Sequence, residues 1–135
     1  MMRQSANPGE DLTLLKQKVR RLMEGEALTS TMNETKWREL CMAMGSRAHP
    51  PPFRLHDLFA RPGYVSGWDR EWYYHPFPYV SIEWLEIEPM AGEKLELEEI
   101  LRAVGAPFEV HGNLLRVYGY RRGGTPGSSR SQGME

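Results

Sequence analysis

Two residues near the end of the chain, Gly112-Asn113, constrain the fold more than any other feature. A two-residue turn with glycine first is what a type II′ hairpin asks for, because glycine accepts the positive φ there and the turn's twist matches that of its strands. Closing the chain at this point sets Val110 opposite Leu115, Phe108 opposite Val117 and Glu109 opposite Arg116. The apolar pairs share one face and the charged pair takes the other, so register and hydrophobic pattern agree. A chain with this hairpin builds an antiparallel sheet that has one face to cover.

The elements that cover it are readable upstream. Leu97, Ile100, Leu101 and Val104 form one face of a helix predicted from about Glu93 to Val104, with acids in its first turns, Arg102 near its end, Gly105 just past it and Pro107 beyond. Trp37, Leu40, Cys41 and Met44 form a second face at i, i+3, i+4, i+7. Thr31 with Glu34 has capping-box spacing, Asn33 is another candidate cap, and Gly45 is placed to end that helix. Leu12, Leu15, Val19 and Leu22 mark an amphipathic helix from about Asp11 to Glu24. Its narrow stripe either packs on the domain or pairs two chains into a homodimer through residues 12–22.

Between these helices lies the densest stretch, "WDREWYYHPFPYVSIEWLEI", residues 68–87. It follows the connector His49-Pro50-Pro51-Pro52, a short helical turn predicted over Leu55, Leu58 and Phe59, and the break at Arg61-Pro62-Gly63. Tyr64-Val65 and Glu71–Tyr74 are expected as short strands about a turn near Asp69-Arg70. His75-Pro76-Phe77-Pro78 is expected as a loop, and Tyr79 to Glu88 as a longer strand. Val80, Ile82 and Trp84 share one face of that strand, whereas Leu85 and Ile87 belong to the other. The phase slip after Trp84 predicts a bulge, or a strand covered on both faces.

The order of elements predicts an α+β fold: a small single domain whose mainly antiparallel sheet of about four to five strands packs with two to three helices. Residues 1–31 are expected as an N-terminal helical extension, 32–122 as the compact domain and 123–135, polar and rich in Gly and Ser, as a disordered tail.

Charge and composition exclude several roles. With 135 residues and a net charge of −1, the chain lacks the basic field that drives nucleic-acid binding, and Arg70 is the lone base among the acids of the aromatic stretch. No apolar run reaches membrane length. A single cysteine, Cys41, and a start without signal-peptide character point to the cytoplasm. His49, His56, His75 and His111 show no metal-ligand spacing, and the tail glycines precede no Gly-Lys-Ser/Thr. No metal and no cofactor are therefore expected. Cys41, on the apolar face of its helix, is expected as a small core residue.

Two groupings remain as candidate sites. His75 with Asp69, Glu71 or Glu83 combines an imidazole with carboxylates, the minimum for general acid/base chemistry. Trp68 and Tyr73, with the acidic strand end Glu86 and Glu88 beside the acidic helix start, form a candidate partner-binding surface. Acids there steer basic partners, and Trp and Tyr bury much area with few rotatable bonds.

Thr35-Lys36-Trp37, then "GWDREWYYHPFPYVSIEWLEI", then "GNLLRVYGYRR" carry a resemblance to a family of small uncharacterised bacterial proteins, a domain of unknown function, over residues 32–122. The resemblance implies a bacterial origin and an independent compact unit, and it brings no catalytic residue. The expected function is a non-enzymatic protein-binding module, with an immunity or antitoxin role against a basic toxin as one form of it. The alternative is a small enzyme using His75 with a nearby carboxylate.

Overall fold

A computed structural model describes residues 8–123. Helix α1 spans Pro8–Glu26, strand β1 Thr29–Ser30, helix α2 Glu34–Gly45, and strand β2 Phe53–Asp57. A 3₁₀ turn at Tyr79–Ser81 leads into strand β3, Ile82–Ile87. Helix α3 (Lys94–Val104) and strands β4 (Phe108–His111), β5 (Leu114–Tyr118) and β6 (Tyr120–Arg121) complete the order. The main sheet runs β2-β3-β5-β4, all antiparallel, and β1 pairs with β6 beside it. The architecture is the expected small α+β domain. The expected tail, 123–135, lies outside the described residues from position 124.

The hairpin forms in the expected register, Phe108 with Val117, Glu109 with Arg116 and Val110 with Leu115. Gly112 takes the positive φ of 63° that its turn needs. The backbone pairing does not bring its ion pair, however. Arg116 reaches across to Glu86 on β3, while Glu109 accepts from Tyr118, His111 and Arg121.

Helix α2 begins on Asn33, whose side-chain oxygen accepts the Lys36 amide at 2.8 Å. Thr31, the other candidate cap, donates its hydroxyl to the Tyr118 carbonyl and ties the chain to β5. Trp37, Leu40, Cys41 and Met44 are buried as their spacing predicts. Gly45 is the last helical residue, and close approach explains it: a Cβ there would meet the Tyr73 ring at 2.9 Å. Helix α3 ends as predicted, on Gly105 at φ 83°, with the Ala106 amide donating to Leu101 O. These two helices cover Phe53, Leu85, Ile87, Leu115 and Val117 on one face of the sheet.

Three local expectations are corrected. Residues 53–57 form β2 where a helical turn over Leu55, Leu58 and Phe59 was expected, because Phe53 and Leu55 pair with Ile87 and Leu85 on the covered face. Tyr64-Val65 and Glu71–Tyr74 are not strands. Asp69 alone makes a bridge, to Phe53, and the chain from Trp72 coils into turns. Strand β3 begins at Ile82 instead of Tyr79. The bulge expected after Trp84 lies before it, at Glu83: Asp57 pairs with Ile82 and His56 with Trp84, leaving Glu83 as the extra residue.

Helix α1 packs within the chain. Val19 is buried with Leu28, Leu58 and Tyr120, and Leu22, Met23 and Val80 lie against that cluster. Arg122 fastens the same end, donating to Glu83 on β3 and to Glu26 on α1. Among the described residues, no helix is long and apolar enough to cross a membrane.

Candidate functional site

The connection between β2 and the 3₁₀ turn carries the site. Its first part docks along the outer edge of β2. Ser66 N–H donates to Leu55 O and the Leu55 amide to Ser66 Oγ, while Phe53 and Asp69 exchange both backbone hydrogen bonds at 2.8 Å. This closes a sheet edge that would otherwise be open to other strands. Trp72 then turns inward. It is 1 % exposed, packs on Phe53 with ring centroids 4.4 Å apart, and donates its indole N–H to the Pro51 carbonyl at 2.9 Å. The three prolines of the connector thus serve as acceptors, since Glu88 donates to Pro52 and Arg70 reaches the Pro50 carbonyl.

Two carboxylates hold the turn after Trp72. Glu71 accepts the backbone amides of Tyr73, Tyr74 and His75 at 3.2, 2.9 and 2.8 Å. Asp69 accepts the Glu71 amide on Oδ1, and His75 Nδ1–H donates to its Oδ2 at 2.6 Å. Partial desolvation opposes ionisation at both acids. At Glu71 the three amides outweigh it, and at Asp69 the Glu71 amide and His75 do, so both pKa values lie below the ordinary carboxylate range. Charge-assisted bonds of this kind are the strong ones, and four of the five donors here are backbone amides. The arrangement fixes a loop's shape.

The fixed shape presents aromatic rings. Tyr64, Trp68, Tyr73, Tyr74 and Phe77 are all substantially exposed, Tyr74 most of all at 79 %. Trp68 lies over the Arg54 guanidinium at 4.5 Å. Tyr73 leans on the end of α2 at Gly45, and Phe77 meets Tyr79 edge to face at 5.4 Å. These exposed rings follow one another along a single connection, an aromatic ridge along the chain, with Trp72 buried among them.

The candidate residues divide accordingly. Asp69, Glu71 and His75 come together, with His75 more than half exposed and outside the lining of the cavity described below. Glu83 belongs elsewhere: it is bound by Arg122 at 2.7 Å and lies 3.6 Å from His56 Nε2. Trp68 and Tyr73 are exposed. Glu86 is not a surface acid. It is 2 % exposed beneath Arg54 and Arg116, which bond both of its oxygens at 2.7–2.9 Å. Burial opposes its ionisation, but the two arginines outweigh burial and hold its pKa low. Its structural role is to place Arg54 under Trp68. Glu88 is exposed and has no ion-pair partner among the described residues.

Cys41 is buried, and desolvation pushes its thiol up to about 12, so it is no nucleophile at neutral pH. Among the described residues, no group of three or more His, Cys, Asp or Glu side chains is placed to hold a metal ion. Sequence reasoning missed Tyr64, Tyr74, Phe77 and Arg54. For the aromatics the signal was present but ambiguous, since exposed and core rings look alike in a β-rich stretch.

The chain belongs to the family of unknown function DUF6678, whose model matches residues 19–124. The match starts inside α1 and covers both the ridge and the paired strands. No curated protein and no solved structure matches the chain.

Proposed function

We propose that this protein is a non-enzymatic protein-binding module whose contact surface is the aromatic ridge of residues 64–77. The observation that carries the reading is the combination of exposed rings with a backbone held from beneath. Five large aromatics face water in one connection whose amides are collected by Glu71 and whose base is nailed down by Trp72. Exposed rings in a floppy loop lose affinity to ordering, whereas a pre-organised ridge avoids that cost. Trp and Tyr dominate interface hot spots, and exposed large rings are the residues such surfaces use.

We take Glu88, an exposed acid just past β3 whose amide bonds Pro52, as the rim of this surface. An exposed acid at the rim favours a partner with basic character. An immunity protein that blocks a basic toxin is one form of this reading, and a bacterial cytoplasm is its natural setting. Both rest on the sequence resemblance and on the acidic rim.

Affinity capture with wild type and with a Trp68→Ser/Tyr74→Ser variant tests the reading. The expected result is one captured protein, recovered at stoichiometric level by wild type and lost by the variant. Equal recovery by both would overturn the ridge as the contact surface.

The His75–Asp69 contact supports a second reading, an enzyme in which Asp69 orients the imidazole for proton transfer. That reading requires His75→Ala to abolish an activity while leaving capture intact. The binding reading expects His75→Ala to bind nearly as wild type does.

A further inference from the structure

A cavity of about 250 Å³ opens between α1, the start of α2, the 3₁₀ turn and the β5–β6 junction. Four rings line it, Trp37, Phe77, Tyr79 and Tyr120, together with Met32 and Leu12. Trp37 and Tyr79 lie nearly parallel, 16° between planes and 6.2 Å between centroids, with Phe77 edge-on to Tyr79 at the exposed lip. The wall is set by close packing, since a Cβ at Gly119 would meet the Ile82 carbonyl at 2.2 Å and the Trp37 ring at 3.2 Å. An apolar cavity of about 150 Å³ already accepts benzene, so this one has room for a larger planar ring system.

The charged groups at its edge are Lys16 and Glu34. Lys16, exposed on α1, has no ion-pair partner among the described residues. Asn33 spends its side-chain oxygen on the Lys36 amide, which leaves its Nδ2 hydrogens free to donate. The one carboxylate in the wall, Glu34, is matched by Arg38 at 2.7 Å. The rim therefore offers a net single positive charge and an amide donor beside aromatic walls.

We propose that this cavity binds a small planar aromatic monocarboxylate, with its ring against Trp37 and Tyr79 and its carboxylate at Lys16 and Asn33 Nδ2. The site is separate from the exposed ridge and stands independently of the binding reading, sharing only Phe77 with it.

The test uses the full chain and three isosteric probes: 2-naphthoate, neutral 2-naphthylmethanol and cationic 2-naphthylmethylammonium. Chemical shifts of the Trp37 indole N–H and the Gly119 amide report occupancy. Naphthoate is expected to saturate with a Kd on the order of 1 mM or tighter, which is the scale of modest ligand efficiency for so small a molecule. The neutral alcohol is expected to bind about three- to tenfold more weakly, and the ammonium more weakly still. Lys16→Glu, on an exposed helix position, is expected to weaken naphthoate by about fivefold or more and to leave the alcohol unchanged. Leu12→Trp, which fills the cavity from α1, is expected to remove binding of all three. The proposal is overturned if naphthoate does not saturate, if its shifts map to Trp68 and Tyr74 instead, if the ammonium binds as well as the carboxylate, or if Lys16→Glu changes nothing.

Discussion

Trp72 packs its indole on the Phe53 ring at 4.4 Å and, two residues later, Tyr74 stands almost fully in water. The buried ring is what permits the exposed one, because it fixes where the turn begins. Trp72→Ala should cost about 3–5 kcal/mol in urea unfolding, the usual penalty for deleting a large buried ring. Trp72→Phe keeps a ring but strands the Pro51 carbonyl, and should cost about 1–2 kcal/mol.

Glu71 acts on the ridge without being part of it. Glu71→Gln keeps the shape of the side chain but gives up the negative charge that its three amides converge on. Hydrogen exchange should accelerate at the amides of Tyr73, Tyr74 and His75 and stay unchanged in α3 and β5. Uniform exchange across the variant and wild type would show that the carboxylate does not hold the turn.

Glu86 and Glu88, two residues apart on one strand end, should respond in opposite ways. Glu86→Gln leaves Arg54 and Arg116 facing a neutral partner in a largely buried place, and should cost about 2–4 kcal/mol of stability. Glu88→Lys alters an exposed, unpaired acid and should stay within about 0.5 kcal/mol. Denaturation curves of the two variants decide the matter, and equal stability would contradict the buried position of Glu86.

The same cluster sets an acid limit. Glu86 and Asp69 both have folded pKa values below their ordinary ones, so each contributes stability that is fully present above the unfolded value. For Glu86 that contribution begins to fall near its ordinary value of 4.5 and is lost as pH drops through the lower folded value. Unfolding measured from pH 7 to pH 3 should show wild type losing stability below about pH 4.5 more steeply than Glu86→Gln. Parallel curves would mean that Glu86 is not stabilised as an anion.

The parts of this fold legible in the sequence are those decided within a few residues. Gly112 names its own turn, Asn33 its own cap and Gly105 its own stop, and each sits where expected. Strand β2 was hidden because its partner, β3, lies about thirty residues away and three prolines precede it. The aromatic run Trp72–Tyr74 has high strand propensity, yet the Glu71 carboxylate draws its amides into a turn, and local capping overrides propensity. Glu86 looked like one member of an acidic surface because Glu83 and Glu88 flank it. Its burial is made by arginines from two other strands, and strand register alone brings them there. His75 and Asp69 lie six residues apart in sequence and prove to be hydrogen-bonded, whereas Glu83 was carried off by the bulge to His56 and Arg122.

The most direct test of the central claim is the affinity of the captured partner for a Tyr74→Ala variant, measured by titration calorimetry beside its urea stability. Tyr74 makes no buried contact that the fold depends on, so its removal should leave stability within about 0.5 kcal/mol of wild type. If the rigid aromatic ridge is the contact surface, Kd should rise by about tenfold or more, as loss of a hot-spot ring does. An unchanged Kd for Tyr74→Ala, and for Trp68→Ala beside it, would contradict the account.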